Sequence, residues 1–201
     1  MNFENIQTIQ TPYSVHSMGQ AHFTPIYRFD FVPEIDLLTL KSNISSAVND
    51  GRTTFITEKS NPYIDTLHKN MMKCVKDIFC SKNDFDLGEI MQQHWWWLNE
   101  NTFDTKCHPH TRIVEDRKGH LMTSHVDNPR VLANFIINLT DNQSSTEFVD
   151  YKDTNKVIYK AEIKKNTGLL FFNTGGCVHK ITVIDEVRYV LLGSILLNMV
   201  I

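Results

Sequence analysis

Residues 121–139 read LMTSHVDNPRVLANFIINL and consist of two runs rich in apolar residues, separated by Asn128-Pro129. Each run is typical of a β-strand, and an Asn-Pro pair is a turn signal. His125 and Asp127 are two positions apart, so on a strand both side chains point to one face, about 6.5–7 Å apart along the chain. A strand that ends at Asn128-Pro129 brings these two side chains toward one ion.

A second histidine and an arginine complete the constellation, because His179 and then Arg188 follow far downstream of His125 and Asp127. Two imidazoles and one carboxylate can bind Fe(II) on one face and leave the opposite face open, as in non-haem iron oxygenases. We therefore interpret His125, Asp127 and His179 as metal ligands that carry the catalytic chemistry.

Arg188 is a candidate for binding a carboxylate close to this metal. If the chain forms a hairpin near residue 185, Arg188 lies opposite about residue 182, roughly 7–10 Å along the strands from His179. A five-carbon dicarboxylate has about that reach, so that one end could bind iron while the other pairs with the guanidinium.

From about residue 90 onward, short runs rich in Val, Ile, Phe and Tyr alternate with turn residues. Strands that follow one another without intervening helices indicate an antiparallel sandwich or barrel. The predicted strands cover residues 91–98, 110–117, 121–127, 131–139, 146–150, 156–163, 168–172, 177–183 and 187–197.

The region before residue 90 has sequence patterns that are typical of helices. One predicted helix covers 33–49, where Pro33 opens it and Asn49-Asp50-Gly51 ends it. A second covers 62–80, with Asn61 as its cap. We expect both helices to pack outside one sheet.

Composition excludes some classes of protein. The net charge is only −3, so we expect no nucleic-acid partner. The four cysteines show no C-x-x-C spacing and are interpreted as free thiols in a reducing compartment. We see neither a secretory signal nor an apolar segment long enough to cross a membrane, and expect a cytoplasmic protein.

Several segments of the β-rich part resemble the 2-oxoglutarate/Fe(II)-dependent dioxygenase superfamily, and within it the prolyl-hydroxylase-like branch. The resemblance covers roughly residues 90–197. The segments that carry it are Gly119-His120-Leu121, His125-Val126-Asp127-Asn128-Pro129, Phe135-Ile136-Ile137-Asn138-Leu139, Ser145-Thr146-Glu147-Phe148 and Thr167-Gly168-Leu169-Leu170-Phe171-Phe172. The step from His179 to Arg188 also matches the usual histidine-to-arginine step.

The resemblance implies a double-stranded β-helix, or jelly roll, within a mostly β fold with flanking helices. From the pattern along the chain we expect one domain over 1–201, made of an N-terminal helical support region at 1–89 and a jelly-roll catalytic core at 90–201. The resemblance also implies that His125, Asp127 and His179 bind Fe(II), and that Arg188 binds the distal carboxylate of 2-oxoglutarate.

The activity implied is hydroxylation of a substrate C–H bond by O2, coupled to conversion of 2-oxoglutarate into succinate and carbon dioxide, with ascorbate as a possible helper. The leading substrate is a prolyl residue of a peptide or protein, and the other open classes are a free amino acid, another small molecule and a modified nucleobase. The alternative is a non-catalytic or cupin-like metal-binding jelly roll. Oligomeric state is not predicted.

Two positions depart from the resemblance. Val190 stands where many relatives carry Ser or Thr, and Asn138 stands where prolyl hydroxylases often have Tyr. Asn134 and Asn138 share a strand face. We therefore predict that these asparagines supply part of the 2-oxoglutarate contacts.

Other conspicuous residues have simpler interpretations. The Trp95-Trp96-Trp97 run is expected to pack in the core, with a substrate-facing wall as the alternative. His108-Pro109-His110, beside Cys107, is interpreted as a turn that leads into a strand, because no second pair of zinc ligands accompanies it. Arg112 and Arg130 are expected to be solvated charges at the rim, which an anionic substrate could use. Cys177 is a candidate to line the site.

Overall fold

The computed structural model describes residues 1–9, 25–43, 45–49, 51–57, 61–80, 95, 97–174, 177–181 and 186–198. The strands are β1 (Asn2–Ile9), β2 (Ile26–Val32), β3 (Ser45–Asn49), β4 (Arg52–Ile56), β5 (Cys107–Asp116), β6 (Met122–His125), β7 (Val131–Asn138), β8 (Asn142–Val149), β9 (Val157–Ile163), β10 (Thr167–Phe172), β11 (His179–Ile181) and β12 (Arg188–Leu197). The helices are α1 (Pro62–Phe79), α2 (Glu100–Lys106) and a 3-10 helix at Leu37–Asn43.

The strands form two antiparallel sheets. The large sheet has the order β1-β2-β10-β7-β12-β5-β4-β3, and the small sheet has the order β6-β11-β8-β9. Apolar side chains from both sheets share one buried cluster, in which Val114 and Val190 of the large sheet accompany Phe148 of the small sheet. The fold is a two-sheet jelly roll, so the predicted mostly β fold with flanking helices is confirmed.

Helix α1 covers the other face of the large sheet. Its buried stripe contains Leu67, Met71 and Val75, which belong to a second apolar cluster with Phe135 and Leu191. Asn61 caps the helix by accepting hydrogen bonds from the backbone of Tyr63 and Ile64, as predicted. Packing against α1 therefore leaves the opposite face of the sheet for the site.

The prediction of a helix over 33–49 is wrong. Residues 37–43 form a 3-10 helix, and residues 45–49 form β3, which pairs with β4. Gly51 between these strands has φ +77°, a left-handed conformation that hairpin turns require and glycine adopts without strain.

The segment 1–89 is thus not a purely helical support. Strands β1 to β4 belong to the same eight-stranded sheet as the strands of the core. Strands β1 and β2 extend the sheet beyond β10, and strands β4 and β3 extend it beyond β5. The organisation of the whole chain as a single domain stays a prediction.

The prediction of a strand over 91–98 is wrong wherever that segment is described. Trp95 lies in a helical turn and Trp97 in a turn, while 91–94 and Trp96 lie outside the described residues. Trp95 is buried in the cluster beneath α1, and Trp97 packs against that cluster. These two aromatic rings therefore serve core packing, the preferred interpretation.

None of the helices in the described ranges has the length and apolar character needed to cross a membrane.

Candidate metal centre

The three side chains predicted to bind metal lie together between the sheets. The ligand atoms of His125, Asp127 and His179 are all within 4.8 Å of one another. His125 ends β6 and pairs with His179 at the start of β11, while Asp127 follows the end of β6. The strand end before Asn128-Pro129 thus brings the two ligands of the H-x-D triplet together, as the sequence indicated.

The donor set fits a divalent transition metal. His179 Nε2 lies 3.5 Å from Asp127 Oδ2, and His125 Nε2 lies 3.9 Å from Asp127 Oδ1. Neighbouring ligand atoms on one ion are roughly 3 Å apart when each bond is about 2.1 Å long. Small side-chain movements would therefore close the set around an ion, and two imidazoles with one carboxylate suit Fe(II).

Hydrogen bonds set the tautomer of both imidazoles. His125 Nδ1 lies 2.8 Å from the carbonyl oxygen of Thr123, and His179 Nδ1 lies 3.2 Å from that of Cys177. Because a carbonyl only accepts, each Nδ1 carries the hydrogen and each Nε2 presents its lone pair to the centre. Burial lowers the pKa of His179, against an opposing effect of Asp127, and favours the neutral form that can bind metal.

A side chain of β7 positions the carboxylate of the centre. Asn134 Nδ2 donates to Asp127 Oδ2 at 2.9 Å, and Asn134 Oδ1 accepts from Ser194 Oγ of β12 at 3.0 Å. The serine hydroxyl fixes which way the amide points, so that its NH2 group faces Asp127. Asn134 was predicted to contact 2-oxoglutarate, whereas its side chain is hydrogen-bonded to Asp127 and to Ser194.

Arg188 opens β12 and is fully buried. It lies directly opposite Asp116 of β5, and its Nε is 3.3 Å from Asp116 Oδ2. Within the described residues, none of its three guanidinium nitrogens has a hydrogen-bond partner. Burial lowers the pKa of Arg188 to about 10, with Asp116 opposing this, so the side chain is still a cation at neutral pH.

The strands that carry His179 and Arg188 are not a hairpin, which corrects that expectation. Strand β11 pairs with β6 and β8 in the small sheet, whereas β12 lies between β5 and β7 in the large sheet. The two residues approach the site from opposite sheets. Their proximity therefore comes from the packing of the sheets, and not from a turn near residue 185.

Sequence reasoning missed the partner network of Arg188. Arg52 of β4 is also opposite Asp116, and its Nη2 donates to Asp116 Oδ2 at 3.0 Å. Asp116 is fully buried and shared by both arginines. The charge of Asp116 compensates one arginine and leaves one positive charge at this end of the site.

A cavity of about 250 Å³ is lined by the three predicted metal ligands and by Arg188. Its walls include Asn134, Ser194 and Arg112 as well. Asn138, the other asparagine predicted to contact 2-oxoglutarate, is not among the residues that line this cavity. Its Nδ2 instead donates to Thr167 Oγ1 at 3.3 Å, on the neighbouring strand β10.

The remaining candidates lie in structural positions. The Cys177 side chain is fully buried among the apolar residues between the sheets, and burial raises the pKa of its thiol well above the ordinary value. Strand β5 begins at Cys107, so His108-Pro109-His110 lies within the strand and the prediction of a turn there is wrong; His108 is exposed. Of the described residues, only His125, Asp127 and His179 form a cluster suited to a metal.

Comparison with known proteins identifies the fold. No protein-family model and no curated protein sequence matches the chain. Solved structures do match: a prolyl-4-hydroxylase from Pseudomonas putida is 12% identical over 87% of this chain and 93% of its own, with a TM-score of 0.56. The chain has the fold of the prolyl hydroxylases.

Two further prolyl hydroxylases share this double-stranded β-helix. A viral collagen prolyl hydroxylase from Paramecium bursaria Chlorella virus-1, in complex with 2-oxoglutarate, is 14% identical over 88% of this chain and 96% of its own, with a TM-score of 0.55. A Trichoplax adhaerens prolyl hydroxylase, bound to a peptide fragment of hypoxia inducible factor, is 14% identical over 80% and 76%, with a TM-score of 0.51. At these identities the likeness concerns the fold.

Proposed function

We propose that this chain is a dioxygenase that uses Fe(II), 2-oxoglutarate and O2 to hydroxylate a C–H bond of its substrate. The observation that carries the proposal is the pairing of two features in one cavity. His125, Asp127 and His179 present a facial set of ligands, and the buried Arg188 presents guanidinium nitrogens without hydrogen-bond partners. A buried cation with open donors is a costly feature unless an anion binds it.

Each residue has a distinct part in this proposal. The two histidines and Asp127 would hold Fe(II), which supplies the oxidative chemistry when it is bound with 2-oxoglutarate and O2. Arg188 would bind the distal carboxylate of 2-oxoglutarate through its planar fork. Asn134 would orient Asp127 through its 2.9 Å hydrogen bond, and this contact favours a positioning part over the predicted 2-oxoglutarate contact.

Apolar walls complete the arrangement. Phe171, Ile136 and Leu192 line the same cavity as the metal ligands. Their side chains keep water away from the space between the metal ligands and Arg188, which strengthens the charge interactions there. Asn138 stays a proposed second contact for 2-oxoglutarate, with less support than Arg188 because it does not line the cavity.

The proposed substrate is a prolyl residue of a peptide or protein, with a small molecule as the second class. The support is the shared fold with prolyl hydroxylases, one of which was solved with a bound peptide. Ascorbate would keep the iron reduced. The proposed location is the cytoplasm, supported by four free cysteines, since thiols persist in a reducing compartment.

The test measures Fe(II) binding first, then 2-oxoglutarate binding, and finally turnover of a substrate. Wild-type protein should bind Fe(II) anaerobically and then 2-oxoglutarate, and should form succinate in air with proline-containing peptides. Asp127→Ala should lose tight Fe(II) binding. Asp77→Ala, which changes an exposed aspartate of α1, is the matched control.

The outcomes separate the alternatives. Turnover on free amino acids but not on peptides would remove the prolyl-peptide substrate and keep the dioxygenase. Binding of neither Fe(II) nor 2-oxoglutarate would contradict the proposal and favour a non-catalytic jelly roll. Binding of metal without 2-oxoglutarate would favour a cupin-like protein.

A further inference from the structure

Arg112 is a cation in the cavity that the proposed reaction leaves unused. It lies on β5 opposite Leu192 of β12 and Ile56 of β4. Its even-numbered neighbour Val114 packs between the two sheets, so Arg112 is on the face of β5 that is turned toward the metal ligands. Arg112 lines the cavity and is exposed to solvent, which places it at the mouth.

The side chain of Arg112 has no ion pair and no hydrogen bond within the part of the chain that the structure describes. The other two arginines of the cavity, Arg52 and Arg188, both interact with Asp116. Partial burial of its stem and the charge of Arg52 lower the pKa of Arg112, against an opposing effect of Asp127. Arg112 is therefore near the metal ligands and is not compensated by a direct partner.

The charged side chains around the cavity carry an excess of one positive charge. Three arginines, Arg52, Arg112 and Arg188, face two carboxylates, Asp116 and Asp127, and leave one positive charge when the histidines are neutral. An Fe(II) ion and a 2-oxoglutarate dianion cancel each other, so the same excess would persist in the loaded site. In a cavity with apolar walls, such an excess favours an anionic ligand.

We propose that the cavity recognises a substrate that carries a carboxylate, and that Arg112 binds this group; this inference rests on the proposed function. The planar guanidinium matches a carboxylate through two parallel hydrogen bonds. The cavity of about 250 Å³ must also hold the five-carbon co-substrate. Only one residue or a small molecule therefore enters it. The carboxylate comes from a free amino acid or from an acidic residue beside the hydroxylated one.

The experiment compares matched probes by calorimetry on protein loaded with Mn(II), in place of Fe(II), and 2-oxoglutarate. One pair is L-proline and L-prolinamide, and the other is acetyl-Pro-Asp-amide and acetyl-Pro-Asn-amide. The proteins are wild type, Arg112→Gln, Arg112→Lys and Arg130→Gln. Arg130 is the matched control, because it is an exposed arginine just after the metal-binding triplet that does not line the cavity.

On wild type, the carboxylate member of at least one pair should bind about 10-fold more tightly, the size of one charge-assisted hydrogen bond. Arg112→Gln should remove this preference, Arg112→Lys should keep part of it, and Arg130→Gln should keep all of it. A preference for the free amino acid alone identifies that source, and one for the aspartyl peptide alone identifies the acidic residue.

Three results would overturn the inference: equal binding within both pairs, a preference that persists in Arg112→Gln, or binding of none of the four probes. The loading step distinguishes these from a failure of the proposed function. Wild-type protein that takes up neither Mn(II) nor 2-oxoglutarate contradicts the proposed function and the inference together. Normal loading without a carboxylate preference contradicts the inference alone.

Discussion

Asp116 and Arg188 lie directly opposite each other on β5 and β12, and both side chains are fully buried, with Arg188 Nε 3.3 Å from Asp116 Oδ2. The contact engages the Nε edge of the guanidinium. The two terminal nitrogens have no hydrogen-bond partner among the described residues, and Arg188 lines the cavity that also contains the predicted metal ligands. Asp116 is thus a positioning residue for the proposed carboxylate site.

Replacement of Arg188 should weaken 2-oxoglutarate binding. Loss of a buried, paired charge costs roughly 2–5 kcal/mol, so we expect Arg188→Met to reduce the affinity by about 30-fold or more. Arg188→Lys should restore only part, because an ammonium group lacks the planar fork. Anaerobic titration with 2-oxoglutarate on metal-loaded protein measures both. An unchanged affinity in Arg188→Met would move the carboxylate contact to another cation of the cavity, with Arg112 first.

Neutralising Asp116 should destabilise the fold. Asp116→Asn leaves the buried Arg188 and the partly buried Arg52 without a counter-charge, and breaking a buried pair costs about 3–5 kcal/mol. Urea unfolding measures the loss. The matched control is Glu115→Gln on the same strand, because Glu115 makes only partly exposed ion pairs with Lys41 and Arg117 and should cost less than about 1 kcal/mol. An equal loss of unfolding free energy in the two variants would contradict the role of Asp116 as a buried counter-charge.

Removing the amide beside the metal carboxylate should weaken iron binding. Loss of a hydrogen bond to a metal ligand typically lowers metal affinity about 10–100-fold, and we expect this from Asn134→Ala. Ser194→Ala should have a smaller effect, since it frees the amide to rotate without removing it. Fe(II) titration under anaerobic conditions gives both values. Asn155→Ala, in an exposed turn, is the control. If Asn134→Ala binds Fe(II) as tightly as Asn155→Ala, Asn134 does not position Asp127 for metal binding.

The stability of the protein should fall at mildly acidic pH because of His68. Burial between α1 and the large sheet lowers the pKa of His68 below its ordinary 6.5, and His110 adds to this while Asp65 opposes it. As the pH falls through 6.5, the unfolded chain takes up the proton first. The stability contribution of neutral His68 is therefore complete above that pH and is lost below it.

The measurement for His68 is the free energy of unfolding between pH 8 and pH 5.5 in wild type and His68→Gln. The glutamine keeps a polar atom near Thr111 Oγ1, which lies 2.9 Å from His68 Nε2. The variant should show a shallower decline with falling pH. Since all other groups are the same in both proteins, the difference between the two curves is the test, and parallel curves would show that His68 does not contribute.

The predictions from sequence succeeded where local pattern decides the structure. The strand over 131–139 was identified from its run rich in apolar residues, and β7 is buried along its whole length. The α1 prediction rested on Asn61-Pro62 as the helix start and on an apolar stripe. In the structure Asn61 caps the helix and the stripe is buried. The cluster of His125, Asp127 and His179 was anticipated because the residue types and their spacing are themselves the signal, and metal binding by this cluster stays a prediction.

The failures come from short elements and from contacts across strands. Asp50-Gly51 was interpreted as the end of a helix, although such a pair is also the strongest short hairpin signal, and β3 and β4 flank it. Strand β2 was missed, although Tyr27, Phe29 and Phe31 alternate with more exposed residues. The pairing of Arg52 with Asp116 depends on β4 lying beside β5, and no local pattern specifies that neighbour.

Strand β12 carries groups at both ends of the proposed site. Arg188 begins the strand, and Ser194, which supports Asn134 and so Asp127, lies on the same inward face. The strand is hydrogen-bonded on both sides, to β5 and β7. In the proposed function, this strand would therefore hold the carboxylate contact of Arg188 at a set distance from the support of Asp127. Diacids one carbon shorter or longer than 2-oxoglutarate should be poor replacements, and changes in loop sequence should alter the choice of substrate without altering the choice of co-substrate.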